Sequence, residues 1–208
     1  MKYLVIISTL FVTGSLVGWV IEFFFRRFVS QKKWMNPGFL TGPYLPIYGF
    51  GVIVLYAVSN IPLGITPQVW DIIVRILIIG VGMTLVEFIA GLIFIKGLKI
   101  KLWDYSDRKG NIMGIICPTF FLIWLLVGSL YYFFLNPYLV KAITWIRENL
   151  IYTYFIGILM GMMLVDLAYS IHLATKLKEV KEAQGLRFEE FKSMLKKKIK
   201  KLTNKSDE

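Results

Sequence analysis

The chain has 208 residues, 57% hydrophobic and 18% charged, with a mean hydropathy of +0.65. Soluble domains run at roughly 45–50% apolar and about 25% charged, so an ordinary cytosolic globule is excluded. The net charge of +11 fits a membrane protein with a positive cytoplasmic face, while one Cys and one His exclude a disulfide framework, a four-Cys zinc site and a two-His metal motif.

A membrane-spanning helix needs roughly 20 mostly apolar residues. Five stretches qualify: residues 3–25, 45–63, 76–95, 113–135 and 151–174. The first is too long for the core of a cleaved signal and is followed by Phe25-Arg26-Arg27 instead of small residues, so it reads as an uncleaved anchor. Lys and Arg alternate between connections. Only Lys2 precedes the first span, and Arg26, Arg27, Lys32 and Lys33 follow it. None lies in 64–70, and Lys96, Lys99, Lys101, Arg108 and Lys109 follow the third span. Lys141 and Arg147 follow the fourth, and eleven basic residues follow the fifth. The positive-inside rule then places the N-terminus outside and the C-terminus in the cytoplasm. The expected fold is an all-α, polytopic membrane helix bundle of about five transmembrane helices. Residues 1–174 form the bundle and residues 175–208 a basic amphipathic cytoplasmic tail.

In the first span Gly14, Gly18, Glu22 and Arg26 recur every four residues and share one face. The segment 32–51 is apolar and aromatic although it holds three prolines and four glycines, which reads as a segment packed at the membrane edge, re-entrant in character. Irregular backbone at that depth must be buried in protein or line a cavity. Its free amides are therefore candidate ligand contacts, with Asn36 and Tyr48 beside them. The third span opens with Trp70-Asp71, and Asp71 and Arg75 are spaced to pair. Gly80, Thr84, Glu87 and Gly91 line one face of it. In the second cytoplasmic loop Asp104 lies between Trp103 and Tyr105. An Asx-type turn to Ser106 and a contact to a headgroup, substrate or partner are both open to it. Asn136-Pro137 is expected to end the fourth span, with 138–149 a short helix on the outer surface. The fifth span carries Asp166 and Ser170.

Glu22, Glu87 and Asp166 are the acids within spans, and a lone carboxylate costs at least about 2.5–3.5 kcal/mol there. Glu22 lies four residues before Arg26, Glu87 nine before Lys96 and Asp166 ten before Lys176. At 1.5 Å per residue those offsets are about 6, 13 and 15 Å from the cytoplasmic end. All three fall in the same half, so Glu22, Glu87 and the Asn36 loop are expected to converge there. The candidate substrate-binding residues are Glu22, Arg26, Asn36, Tyr48, Glu87, Trp103, Asp104, Asn111 and Asp166. No catalytic residue, metal or cofactor is expected.

The residues Gly18-Trp19 with Glu22 and Arg26, then the run from Asn36 through Gly38-Phe39-Leu40 and Gly42-Pro43-Tyr44 to Pro46-Ile47-Tyr48-Gly49, are distinctive. So are Glu87 with Gly91, Trp103-Asp104-Tyr105-Ser106, and Asn111 with Gly114 and Cys117. In order and spacing they resemble the ABC-transporter type IV family of CmpB-like permeases, over about residues 18–137. Pro37 and Pro118 stand where that family often has Arg and Leu. The resemblance implies a bacterial, multi-pass protein of the cell membrane with a permease-like role.

In the tail Phe188, Phe191, Leu195, Ile199 and Leu202 recur every three or four residues among lysines. That makes 188–202 a basic amphipathic helix suited to anionic lipids of the inner leaflet, with Gly185 as its hinge. Positive-inside bias explains the charge more cheaply than nucleic acid, which is not an expected partner. Three functions remain open: a small permease or transport component working as a homo-oligomer or with an ATPase subunit, a membrane-embedded enzyme on a lipid-linked substrate, and a non-transporting scaffold or sensor. The enzyme is disfavoured by the lack of a nucleophile–base pair or metal cluster.

Overall fold

The computed structural model describes residues 2–203, and side chains up to residue 184 apart from 2, 178 and 181–183. Among the described residues it is all-α. The helices are α1 (Lys2–Phe25), α2 (Pro46–Asn60), α3 (Gln68–Ile93), α4 (Pro118–Leu130), α5 (Asn136–Glu148) and α6 (Ile151–Thr203). Five-residue π-helical turns extend α1 (Arg26–Ser30), α3 (Phe94–Leu98) and α4 (Tyr131–Leu135). Prolines at the starts of α2, α4 and α5 occupy the first turn, where the missing N–H would be unpaired anyway.

Four helical runs are long and apolar enough to cross a membrane: Tyr3–Ser30, Gln68–Leu98, Pro118–Glu148 and Ile151–Leu177. The second expected span is the exception. It shortens to the 15 residues of α2, about 22 Å at 1.5 Å per residue against a hydrocarbon core of about 30 Å. The cause is where the chain starts its climb. The Leu45 amide donates to the Ser15 carbonyl at 2.9 Å, in the middle of α1. The connection has therefore already returned to mid-helix depth before α2 begins. Asn136-Pro137 marks the boundary between the π turn Tyr131–Leu135 and a short helix, α5, as expected, but the backbone stays helical across it because Pro137 falls in the first turn of α5.

Two compact units are present, Met1–Leu167 and Ala168–Glu208. In the first, α1 and α2 run antiparallel, Gly14 against Val52 and Gly18 against Tyr48. A side chain on Gly18 would collide with the Tyr48 ring, so this glycine admits Tyr48 to the α1 face. The α2–α3 and α3–α4 pairs are antiparallel too, with Gly51 against Met83 and Gly80 against Leu125. One core gathers Val12, Leu40, Tyr44 and Met163, and another Leu55, Ile79, Met83 and Tyr131.

At the other end of α2, Arg75 is 6% exposed. Its guanidinium donates to Asp71 at 2.7 Å, to the Ile61 carbonyl at 2.9 Å and to the Val58 carbonyl, and it lies 5.7 Å from the Tyr132 ring centroid. The Asp71–Arg75 pair read from the sequence thus also caps the last carbonyls of α2. Removing one partner of a buried pair strands the other, at about 3–5 kcal/mol. Arg75→Leu is expected to destabilise by about that amount. Unfolding in detergent measures it, and a loss under about 1 kcal/mol, the range of an exposed pair, would show Arg75 to be dispensable.

The second unit is the remainder of α6, where the Thr175 hydroxyl donates back to the carbonyls of Ile171 and His172 at 2.9 Å. The backbone is helical through Gly185 to Thr203, so the expected hinge is not formed. A single glycine in a helix costs only about 1 kcal/mol. The side chains of the amphipathic stretch 188–202 lie outside the described residues.

Candidate functional site

The segment between α1 and α2 is held by two polar side chains. After the π turn, the amides of Gln31 and Lys32 both donate to the Arg26 carbonyl at 2.9 and 3.0 Å, and Lys32 adopts φ 55°, which turns the chain back. Asn36 then accepts from the Trp19 indole at 2.9 Å and from the Gly38 amide at 3.1 Å. Its own amide donates to the carbonyls of Leu40 and Thr41, both at 2.9 Å. Asp166 completes the fastening. It accepts from the Thr41 amide at 3.1 Å, the Gly42 amide at 2.8 Å and the Tyr44 hydroxyl at 2.7 Å. Among the loop amides, those of Gly38, Thr41 and Gly42 are thus taken by side chains of the protein itself.

Burial, and then the Asp166 carboxylate, push the Tyr44 hydroxyl up to about 12 from its usual 10.0. The neutral, donating form is the one favoured by the fold. Its stabilising contribution is therefore complete below about pH 10 and lost as pH rises through about 12.

Glu22 and Glu87 each accept from a tyrosine hydroxyl. Glu22 accepts from Arg26 Nε at 3.1 Å and from the Tyr48 hydroxyl at 2.9 Å. The Tyr48 hydroxyl lies within electrostatic range of Glu87 and of Tyr105. Glu87 is 5% exposed, with Oε1 accepting from the Tyr105 hydroxyl at 2.9 Å and Oε2 from the Trp124 indole at 3.1 Å. Among the described residues no cation pairs with it, whereas Glu22 has Arg26. Hydrogen bonds thus join Glu22 with Arg26 and Tyr48, and Glu87 with Tyr105 and Trp124. Burial first and then the Glu87 charge push the Tyr105 hydroxyl well above its ordinary value, so it stays a donor to that carboxyl.

Tyr105 comes from the second loop, and that loop is self-folded. Trp103 donates to the Ile115 carbonyl at 2.9 Å, and the Tyr105 amide to the Gly114 carbonyl at 2.9 Å. Asn111 donates to the carbonyls of Ser106 and Arg108 and accepts from the Gly114 amide at 3.0 Å. Asp104 closes the Asx turn, accepting from the Ser106 amide and hydroxyl and from Lys101 at 2.9 Å. Those hydrogen bonds hold it at about 2, from a usual 3.8. Gly114 has φ +68°, and a Cβ there would strike Asp104 and Ser106, so the turn requires glycine. Trp103, Asp104 and Asn111 thus shape the loop that delivers Tyr105.

Trp124 is not among the residues that the sequence motifs single out. The available signal was its depth: a tryptophan inside an apolar stretch lies away from the interface that Trp favours, and its N–H requires a partner there.

A family model described as "Putative ABC-transporter type IV" matches residues 9–171. The chain belongs to this family. Together with its apolar helices, membership makes it a multi-pass membrane protein of transport-related type. No curated protein and no solved structure matches the chain. The type IV match covers Glu22, Tyr48, Glu87, Tyr105, Trp124 and Asp166, and leaves the basic tail outside it.

Proposed function

We propose that the chain is the membrane-embedded part of a transport system in the bacterial cytoplasmic membrane. Its N-terminus lies outside, its C-terminus inside, and the polar cluster Glu22–Tyr48–Glu87–Tyr105 serves its substrate from the cytoplasmic half. The observation that carries this reading is Glu87, a carboxyl buried in an apolar helix with two neutral donors and no cation among the described residues. Intramembrane ionisable groups of this kind mark pathways for ions, protons or polar solutes. The clamped loop packs between helices beside the cluster, as irregular backbone in a membrane must.

The chain contains no Walker-type phosphate loop, so ATP coupling would require a separate ATPase subunit. The family supports such an association. An ATPase retained through purification from native membranes, with ATP hydrolysis that depends on this chain, is the expected result. A chain that purifies alone and turns over a lipid-linked substrate would replace this reading with the enzyme. The topology has its own test. Reporter fusions within 64–67 are expected to read outside, and fusions at Lys109 inside. A cytoplasmic signal from 64–67 would overturn the orientation.

A further inference from the structure

A groove of about 310 Å³ runs along the outside of α1, lined by Leu16, Val17, Trp19, Val20, Ile21 and Pro43. Its lining is apolar and its α1 wall is open, with Val17 58%, Val20 45% and Ile21 56% exposed. Trp19 connects it to the basic end of the helix. Its ring stacks on Phe23 at 4.8 Å, Phe23 meets Trp34 at 5.0 Å, and the Arg27 guanidinium lies 5.2 Å from the Trp34 ring centroid. Trp19, Phe23 and Arg27 are four residues apart and share one face. The groove therefore leads to a cation about 12 Å further along, at 1.5 Å per residue.

That end carries uncompensated charge. Residues 26–36 hold Arg26, Arg27, Lys32 and Lys33 and no acid. Arg26 is used by Glu22, while Arg27, Lys32 and Lys33 have no acidic partner among the described residues. Arg27 donates one N–H to the Lys32 carbonyl at 3.0 Å, and its Nε is buried without a hydrogen-bond partner among the described residues, which leaves the outer N–H groups of the guanidinium to face a ligand. A guanidinium held against an aromatic ring presents a fixed fork for phosphate. Open apolar surface ending in such a cation matches a molecule with a chain at one end and a phosphate at the other.

We propose that this groove seats an acyl chain of an anionic phospholipid whose phosphate is held by Arg27 and Lys33. Pro43 lines the groove, so the lipid lies against the loop that Asp166 clamps. The proposal is independent of the transport reading and of the tail at 188–202. It predicts that native mass spectrometry of the full chain in neutral detergent retains phosphatidylglycerol over phosphatidylcholine of the same chains by tenfold or more, about 1.4 kcal/mol. The double variant Arg27→Gln/Lys33→Gln is expected to lose that preference. Val17→Trp, which fills the groove, is expected to weaken retention of phosphatidylglycerol about as much. Circular dichroism checks that both variants keep their helices. Equal retention of the two lipids, or an unchanged preference in the double variant, would overturn the proposal. So would unchanged retention in Val17→Trp, or a preference lost only when Lys196, Lys197, Lys200 and Lys201 are replaced by Gln.

Discussion

Glu87→Leu is expected to destabilise the protein, and Glu87→Gln to leave it folded but inactive. Leucine strands two donors, the Tyr105 hydroxyl and the Trp124 indole. Each costs about 1–3 kcal/mol when left unpaired, so roughly 2–6 kcal/mol in total. The lower end applies in a membrane, where the unfolded helices also recover partners. Glutamine fits the same two partners, as acceptor to one and donor to the other. An indole N–H only donates, so the glutamine carbonyl must face Trp124. Its NH2 then faces the Tyr105 oxygen, which accepts as readily as it donates. The variant keeps the shape and loses the charge. Unfolding in detergent separates the two substitutions, and a transport or ATP-hydrolysis assay reads the charge. Equal stability of the Leu and Gln variants would refute the packing role, and a fully active Gln variant would defeat the functional one. In that case Asp166 would be the next acid to test.

Asp166→Ala is expected to release the loop between α1 and α2. It removes the acceptor for two backbone amides and a hydroxyl. Even at the low end of about 1 kcal/mol for each stranded donor, the cost is about 3 kcal/mol, or roughly a hundredfold in the population of the open loop. Leu40 provides the readout, since it is 4% exposed and packed with Val12, Tyr44 and Met163. The native Cys117 is itself buried, so a Leu40→Cys reporter is the accessible thiol when the loop opens. Its labelling by a water-soluble maleimide should be slow with Asp166 present and roughly a hundredfold faster with alanine. Asp166→Asn, which keeps one acceptor oxygen, should fall between. Identical labelling rates in all three would mean that other contacts hold the loop.

The helical class and the membrane setting were legible because apolar runs and basic connections are local signals. The length of α2 was not. Hydropathy reports how long an apolar run is but not the depth at which the chain enters it, and that depth is set by the Leu45 amide on Ser15. Asp166 as the clasp of the first loop was also invisible, since the Thr41 contact spans 125 positions and has no period to read. The motif residues Trp103, Asp104 and Asn111 were found as a group. Their division of labour, three shaping a turn so that Tyr105 reaches Glu87, appears only with the hydrogen bonds in place.

The clasp also has a consequence for biosynthesis. The loop at residues 31–45 leaves the ribosome long before Asp166 does, and at 5–20 residues per second a gap of 125 residues lasts roughly 6–25 s. For that interval α1 and α2 must be inserted with the amides of Thr41 and Gly42 lacking their final acceptor. The first hairpin of the nascent protein is therefore provisional, and it is completed only when the last span arrives. A chain truncated before residue 166 would remain in that unfinished state, with the loop exposed to the membrane proteases that clear incomplete products.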